Sequence, residues 1–386
     1  VTEIAGAILG ATIPPVALDA SPFDVELIRS WDEACARLGS EMARGTTTPF
    51  QHRHWLDAWY HGAASNASGE PLIAVVTDIR RRAVVAILPL YIRPQRGLRI
   101  AEFAGSADYN APILGAAALE HPVDADLFWS AVRCALSQMP NGCDLVRFGK
   151  MPVTIAGVAN PLASLPGSEP SALSGHVLQI GEDFDAYRYS LEKTVRKELE
   201  RSWRVFVKNE GAKFQHLRDL QPALQVFTAL ETQQSARMLD RGHEYFLDEA
   251  GCSAFHRDLI ARGLAGGYVV VTALTCGEEI VAALLGLRVN STYLMLRISN
   301  AGQGWATCSP GRLIIERTMA ALHADGVRTF DFSVGSYDYK RRFGVKDVPL
   351  VDLTVALSWR GRAMIGAKKA VQSMRRVSAA IRRRHG

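Results

Sequence analysis

Residues 309–344, SPGRLIIERTMAALHADGVRTFDFSVGSYDYKRRFG, constrain the fold of this chain more than any other stretch. Ser309 is a good N-cap, Pro310 suits the first helical position, Gly311 allows close approach to the backbone, and Arg312 adds a cation. Leu313, Ile314, Met319, Ala320 and Leu322 follow a helical period that Gly326 ends. In Val327 to Val334, Phe330, Phe332 and Val334 share one face of a strand while Asp331 and Ser333 share the other. A helix of sixteen residues covers roughly 24 Å and a strand of eight covers roughly 26 Å, so the strand can run back along the whole helix.

If Thr292 to Ser299 is the preceding strand, the unit is a βαβ crossover with two parallel strands. Their carboxyl ends and the helix N-terminus then share one edge. Open N–H groups and the positive end of the helix dipole suit that edge to an anionic ligand, and Tyr337, Tyr339, Lys340 and Arg341 leave the strand just there.

The rest of the chain reads as support for this unit. With 386 residues and 48% hydrophobic content it has ample material for two domains. Cys35, Cys134, Cys143, Cys252, Cys276 and Cys308 show no paired or metal-like spacing, which points to reduced thiols in a cytoplasm and to no metal. His52 and His54 have no acidic or histidine cluster beside them and are read as structural. The apolar run from Ile4 to Leu18 lacks a basic start and is interrupted by Pro14 and Pro15, which argues against a signal peptide. The net charge of +5 is uneven: nine of the 44 basic residues and none of the 39 acids follow Trp359, leaving 35 against 39 before it. The body is mildly acidic, which argues against a nucleic-acid partner. Gly361 to Gly386 forms a basic amphipathic tail that could lie on an anionic membrane surface or dock on the body.

In chain order, residues 1–20 read as a loose arm, and 21–160 as a first mixed α/β unit. Its strands are expected near Leu72–Asp78, Ala83–Arg93, Leu98–Gly105 and Cys143–Phe148, with a helix over Asp124–Gln138. Trp55, Ala58 and Trp59 in PFQHRHWLDAWY form a buried aromatic anchor. Residues 161–175 read as a linker. Residues 176–360 repeat the grammar with strands at Tyr268–Leu274, Ile280–Arg288 and Thr292–Ser299 before the helix and strand described above, which implies an internal duplication. A long polar helix is expected over Asp183–Gly211. Another spans Leu220–Leu239 and carries Glu231; after it, Asp240, Arg241, His243 and Glu244 are candidates to line an acceptor site. The copies differ at one place. Glu120, Asp124 and Asp126 crowd the first copy's helix start, whereas the second offers Ser309, Gly311 and Arg312, so the anion site is expected in the second copy alone.

The order PFQHRHWLDAWY, LEKTVRKELERSWRVFVKNEGAKF and SPGRLIIERTMAALHADGVRTFDFSVGSYDYKRRFG resembles the CelD-like (cellulose-biosynthesis type) acyltransferases of the GNAT superfamily over roughly residues 20–358. The resemblance implies tandem GNAT-like domains, as in Fem-type aminoacyltransferases, with acetyl-CoA or another acyl-CoA as donor. The superfamily's glycine-spaced pyrophosphate loop is replaced here by Ser309-Pro310-Gly311-Arg312, after Gly302 and Gly304.

On that reading the donor pyrophosphate lies on the N–H groups of residues 310–313, through Leu313. Asp331 is the first candidate for the base, Glu231 the second, Tyr339 the proton donor to the leaving thiolate, and Lys340 an electrostatic aid. The acceptor is a small molecule or an envelope polysaccharide-related sugar. A non-catalytic scaffold for polysaccharide assembly and a Fem-type aminoacyltransferase are the alternatives.

Overall fold

The computed structural model describes residues 21–63, 69–240, 242, 250–335 and 337–368 of the 386. The arm expected over 1–20, most of the DRGHEYF stretch and the tail beyond Lys368 lie outside the described residues. Thirteen strands carry the argument. The first half supplies β1 (Phe23–Ile28), β2 (Glu70–Asp78), β3 (Ala83–Gln95), β4 (Leu98–Phe103) and β5 (Leu145–Pro152). The second supplies β6 (Gly175–Gln179), β7 (Ala212–Leu217), β8 (Val269–Cys276), β9 (Glu279–Val289), β10 (Thr292–Asn300), β11 (Thr329–Val334), β12 (Lys346–Val348) and β13 (Leu350–Ala356).

These strands form two mixed sheets of matching design. One runs β1-β2-β3-β4-β5-β13 and the other β7-β8-β9-β10-β11-β6, with β12 at the end. Each holds a single parallel pair, β4 with β5 and β10 with β11, and antiparallel neighbours elsewhere. A helix crosses over each parallel pair: Ala125–Gln138 in the first half and Pro310–Ala324 in the second. The parallel pairing expected for the opening stretch is present, with Thr292 opposite Thr329 and Leu294 opposite Asp331.

The chain passes between the sheets twice. β6 pairs with β11, and β13, which follows the second unit in sequence, pairs with β5 of the first sheet, Leu353 opposite Phe148. The two sheets face each other across a shared core. Trp31, Phe50, Trp55 and Tyr109 of the first half belong to the same buried cluster as Phe227, Phe255, Leu285 and Leu294 of the second. Burying that many aromatic and branched side chains on both inner faces makes the halves mutually dependent.

The helix expected over Asp183–Gly211 is two helices, Phe184–Ser190 and Lys193–Phe206. Leu191 adopts an extended backbone (φ −67°, ψ 151°) and is buried at 8% exposure, so packing takes it out of the helix where periodicity would have continued. His52 and His54 have aromatic neighbours: His52 stacks on Tyr268 at 4.2 Å, and burial lowers its pKa to about 4, keeping the ring neutral at physiological pH. Among the described residues there is no metal-holding cluster of His, Cys, Asp or Glu, and no helix long and apolar enough to cross a membrane.

Candidate active site

Pairing between β10 and β11 lasts only three residues, from Thr292–Thr329 to Leu294–Asp331. β10 continues to Asn300 and β11 to Val334, so their carboxyl ends splay apart. Side chains hold part of the facing edges of that gap: Gln234 Nε2 donates to Ile298 O at 2.9 Å, and Lys340 Nζ to Val334 O at 2.8 Å. Asp331 stands at the vertex.

Its surroundings come from four places in the chain. Asp331 Oδ1 accepts from Ser333 N at 2.7 Å and from the Tyr109 hydroxyl at 2.9 Å. Ser333 Oγ donates to Asp108 Oδ2 at 2.5 Å, and Lys150 Nζ lies 3.9 Å from Asp108 Oδ1. Lys340 Nζ donates to the carbonyls of Val334 at 2.8 Å and Ser333 at 3.3 Å. Ser333 has φ +59°, a left-handed backbone that a serine takes up at a cost and that lets one residue serve both carboxylates.

Burial sets the protonation balance. Asp331 is 7% exposed, and desolvation raises its pKa to about 7 against the opposing pull of the Ser333 amide, the Tyr109 hydroxyl and Lys340. Lys340, 2% exposed, is lowered to about 8 by the same cause. The site therefore holds a carboxyl and an ammonium that both change charge near neutral pH. Tyr339, stacked on Tyr337 at 6.0 Å, is raised to about 12 by burial and keeps its proton.

The start of helix Pro310–Ala324 lies beyond the mouth of the splay. Ser309 has φ +46° and provides no side-chain cap, because the 3-10 turn Gln303–Cys308 delivers it in a left-handed conformation. Its hydroxyl instead accepts from Arg312 Nη2 at 3.1 Å. Pro310 has no N–H, and the amides of Arg312 and Leu313 reach Ser309 O at 3.1 and 3.2 Å. Of the three N–H groups over 310–313, Gly311 N–H has no acceptor among the described residues, which is narrower than a cradle over 310–313. A side chain there would meet Asn300 Nδ2 at 3.3 Å, so glycine keeps this approach clear.

Arg312 is engaged with Glu198 Oε2 at 2.5 Å, and Glu198 also binds Arg342 Nη1 at 3.1 Å. One carboxylate thereby ties the helix start to the turn that carries Lys340. In the first half, by contrast, Asp124 accepts from the amides of Asp126 and Leu127 at 3.1 and 3.0 Å, filling its own helix start with a carboxylate. The second half keeps the more open end.

Asp331, Lys340 and the helix start of 309–313 thus border one splay, with Tyr339 on the same turn. Glu231 lies on the helix over the far part of β10, reached through Arg297 of that strand. On helix Leu220–Leu239 it accepts from Arg257 Nη2 at 2.6 Å and lies 4.0 Å from Arg297 Nη1, beside a groove of about 510 Å³ lined by Thr232, Ser235 and Leu239. That carboxylate is occupied by two guanidiniums.

Tyr109 and Asp108 were not legible as site residues. They lie in a loop of the first half, and only the pattern SADYN, a polar cluster after a strand, hinted at them. That loop is held firmly: Gln51 Nε2 donates to Tyr109 O at 3.0 Å, Asn110 Nδ2 to Gly149 O at 2.8 Å, and Phe50 packs edge-on to the Tyr109 ring at 5.9 Å.

A mixed sheet opened between two parallel strands, with a helix start at its mouth, is a GNAT-like frame. Residues 193–341 match the family model "Acetyltransferase (GNAT) domain", and the matching order of the two sheets makes the chain a tandem of GNAT-like folds. A search of curated proteins returns no match. Among solved structures, FemX is similar over 86% of this chain and 97% of its own at 9% identity, with a TM-score of 0.58. The C-terminal domain of a protein described as a lysylphosphatidylglycerol synthetase from Agrobacterium fabrum is similar over 88% and 97% at 13% identity, with a TM-score of 0.50. At such identities the likeness is one of fold.

Proposed function

We propose that this chain is an acyl-CoA-dependent N- or O-acyltransferase, with acetyl-CoA the first donor to test, that moves its acyl group directly to a small-molecule or envelope polysaccharide-related acceptor. The observation that carries the reading is the unpaired splay beyond Leu294 and Asp331 with an ionisable carboxyl at its vertex. Gly311 N–H and the Arg312–Glu198–Arg342 group would receive the donor's phosphates. The donor supplies an activated acyl carbonyl. Asp331 takes the proton from the attacking amine or hydroxyl, and among the described residues its Oδ2 accepts no hydrogen bond. Lys340, cationic below about pH 8, offsets negative charge as the thiol leaves, and Tyr339 can return a proton to it. The CelD-like resemblance supports a polysaccharide-related acceptor, a cytoplasmic setting follows from the cysteine pattern, and the basic tail is the candidate for peripheral membrane contact.

The test is a screen of sugar amines, amino acids and polyamines for thiol release from acetyl-CoA. Acceptor-dependent release that Asp331→Asn abolishes supports the proposal; release unchanged by that substitution removes Asp331 from it. Transfer only from an aminoacyl-tRNA would favour the Fem-type reaction, which the excess of acids before Arg360 disfavours. A scaffold role would show as no release with any acceptor.

A further inference from the structure

The first half of a tandem whose helix start is filled by its own Asp124 looks like a spectator, but it reaches into the second half's site at one point. We infer that Tyr109, delivered by the first half, is a positioning residue that keeps Asp331 aimed and ionised as a base. The inference rests on the proposed function above.

The geometry is specific. Tyr109 is 6% exposed and is separated from Asp331 by 222 residues, yet its hydroxyl donates to Asp331 Oδ1 at 2.9 Å. Its ring is fixed edge-on to Phe50, and its backbone carbonyl is held by Gln51. The hydroxyl lies beside the bulge between Gly175 and Val177 where β6 joins β11, and it donates its proton to the carboxylate. Gly175 makes room for this contact, since a side chain at that position would come within 2.4 Å of the hydroxyl.

The charged and titratable groups around Asp331 act in both directions. Tyr109 from the first-half loop, the Ser333 amide from β11 and Lys340 from the following turn favour the carboxylate; Asp108, from the same loop as Tyr109, disfavours it. Lys150 of β5 faces Asp108, and the ring of His176 of β6 pairs with Asp347 at 2.9 Å. Neighbouring residues of one loop therefore pull Asp331 in opposite senses. Removing each should move its titration in opposite directions, which damage to the fold in general would not do.

The experiment compares the full chain with Tyr109→Phe and Asp108→Asn. Titration of the Asp331 carboxyl is followed by carbon-13 NMR, with Asp331→Asn identifying the signal, and the pH profile of acyl transfer is recorded alongside. Tyr109→Phe keeps the ring and its Phe50 contact, and should raise the midpoint by about one to two pH units, the worth of one charge-assisted hydrogen bond. Asp108→Asn should lower it. A midpoint unchanged in Tyr109→Phe, or shifted the same way in both variants, overturns the inference. The NMR readout needs no acceptor, so it stands apart from the acyltransferase reading. If Asp331→Asn retains full transfer activity, that reading of Asp331 fails, and with it the inference that Tyr109 serves a base.

Discussion

Asp331→Asn should stabilise the protein while disabling it, and the stabilisation should depend on pH. Burial moves this carboxyl from an ordinary 3.8 to about 7, a gap of about 3 units at about 1.4 kcal/mol each. For an acid whose folded pKa is raised, the unfolded chain releases its proton first. The cost of carrying Asp331 is therefore absent below about pH 4, grows through the interval up to about 7, and is constant above it. Its ceiling is about 4 kcal/mol, an order-of-magnitude figure for a group this buried. Asparagine removes the charge and can still accept from Tyr109 and the Ser333 amide. The assay is urea unfolding of both proteins at pH 4 and pH 8, where titrations common to both cancel in the difference. The variant should gain on the wild type by a few kcal/mol more at pH 8 than at pH 4, while turnover falls by about 10²–10⁴. An equal or smaller gain at pH 8 would refute the reasoning, because the carboxylate would then not be strained by burial.

Further expectations follow from the same contacts. The rate profile should rise through about pH 7 as Asp331 ionises and fall above about pH 8 as Lys340 loses its charge; Lys340→Met should remove the alkaline limb in stopped-flow or steady-state assays. Glu231→Gln should change turnover far less than Asp331→Asn, with the main effect in thermal melting, since Glu231 is engaged by Arg257 and Arg297. Gly175→Ala should destabilise the chain by about 1–3 kcal/mol in chemical denaturation and reduce turnover, because the new methyl displaces the Tyr109 hydroxyl. Glu198→Gln should tighten acetyl-CoA binding in a titration by releasing Arg312 and Arg342.

Much of the frame was legible because it rests on local patterning. The helix after Ser309, the strand that follows it and their parallel partner at Thr292 come from periodicity, Gly326 and chain length alone. The recurrence of the same order in the first half was legible for the same reason. What escaped depends on contacts far apart in sequence. Nothing local to Leu350–Ala356 says that it pairs with β5 and not within the second sheet. The site divides along the same line. Asp331 and Lys340 sit in a patterned strand and turn, whereas Tyr109 reaches Asp331 only through a loop placed by the shared core. Ser309 illustrates a subtler miss: its residue type suggests a cap, but the preceding 3-10 turn sets a φ of +46° that propensity does not anticipate.

The central claim is that the second half receives an acyl-CoA donor between its splayed strands and the open helix start. Isothermal titration of the full chain with acetyl-CoA tests it most directly, with Gly311→Asp as the variant, since a carboxylate there sets a negative charge beside the open amide and Asn300. The account predicts micromolar one-to-one binding by the wild type, lost in Gly311→Asp while the unfolding midpoint is retained. No binding by the wild type, or equal binding by the variant, would contradict it.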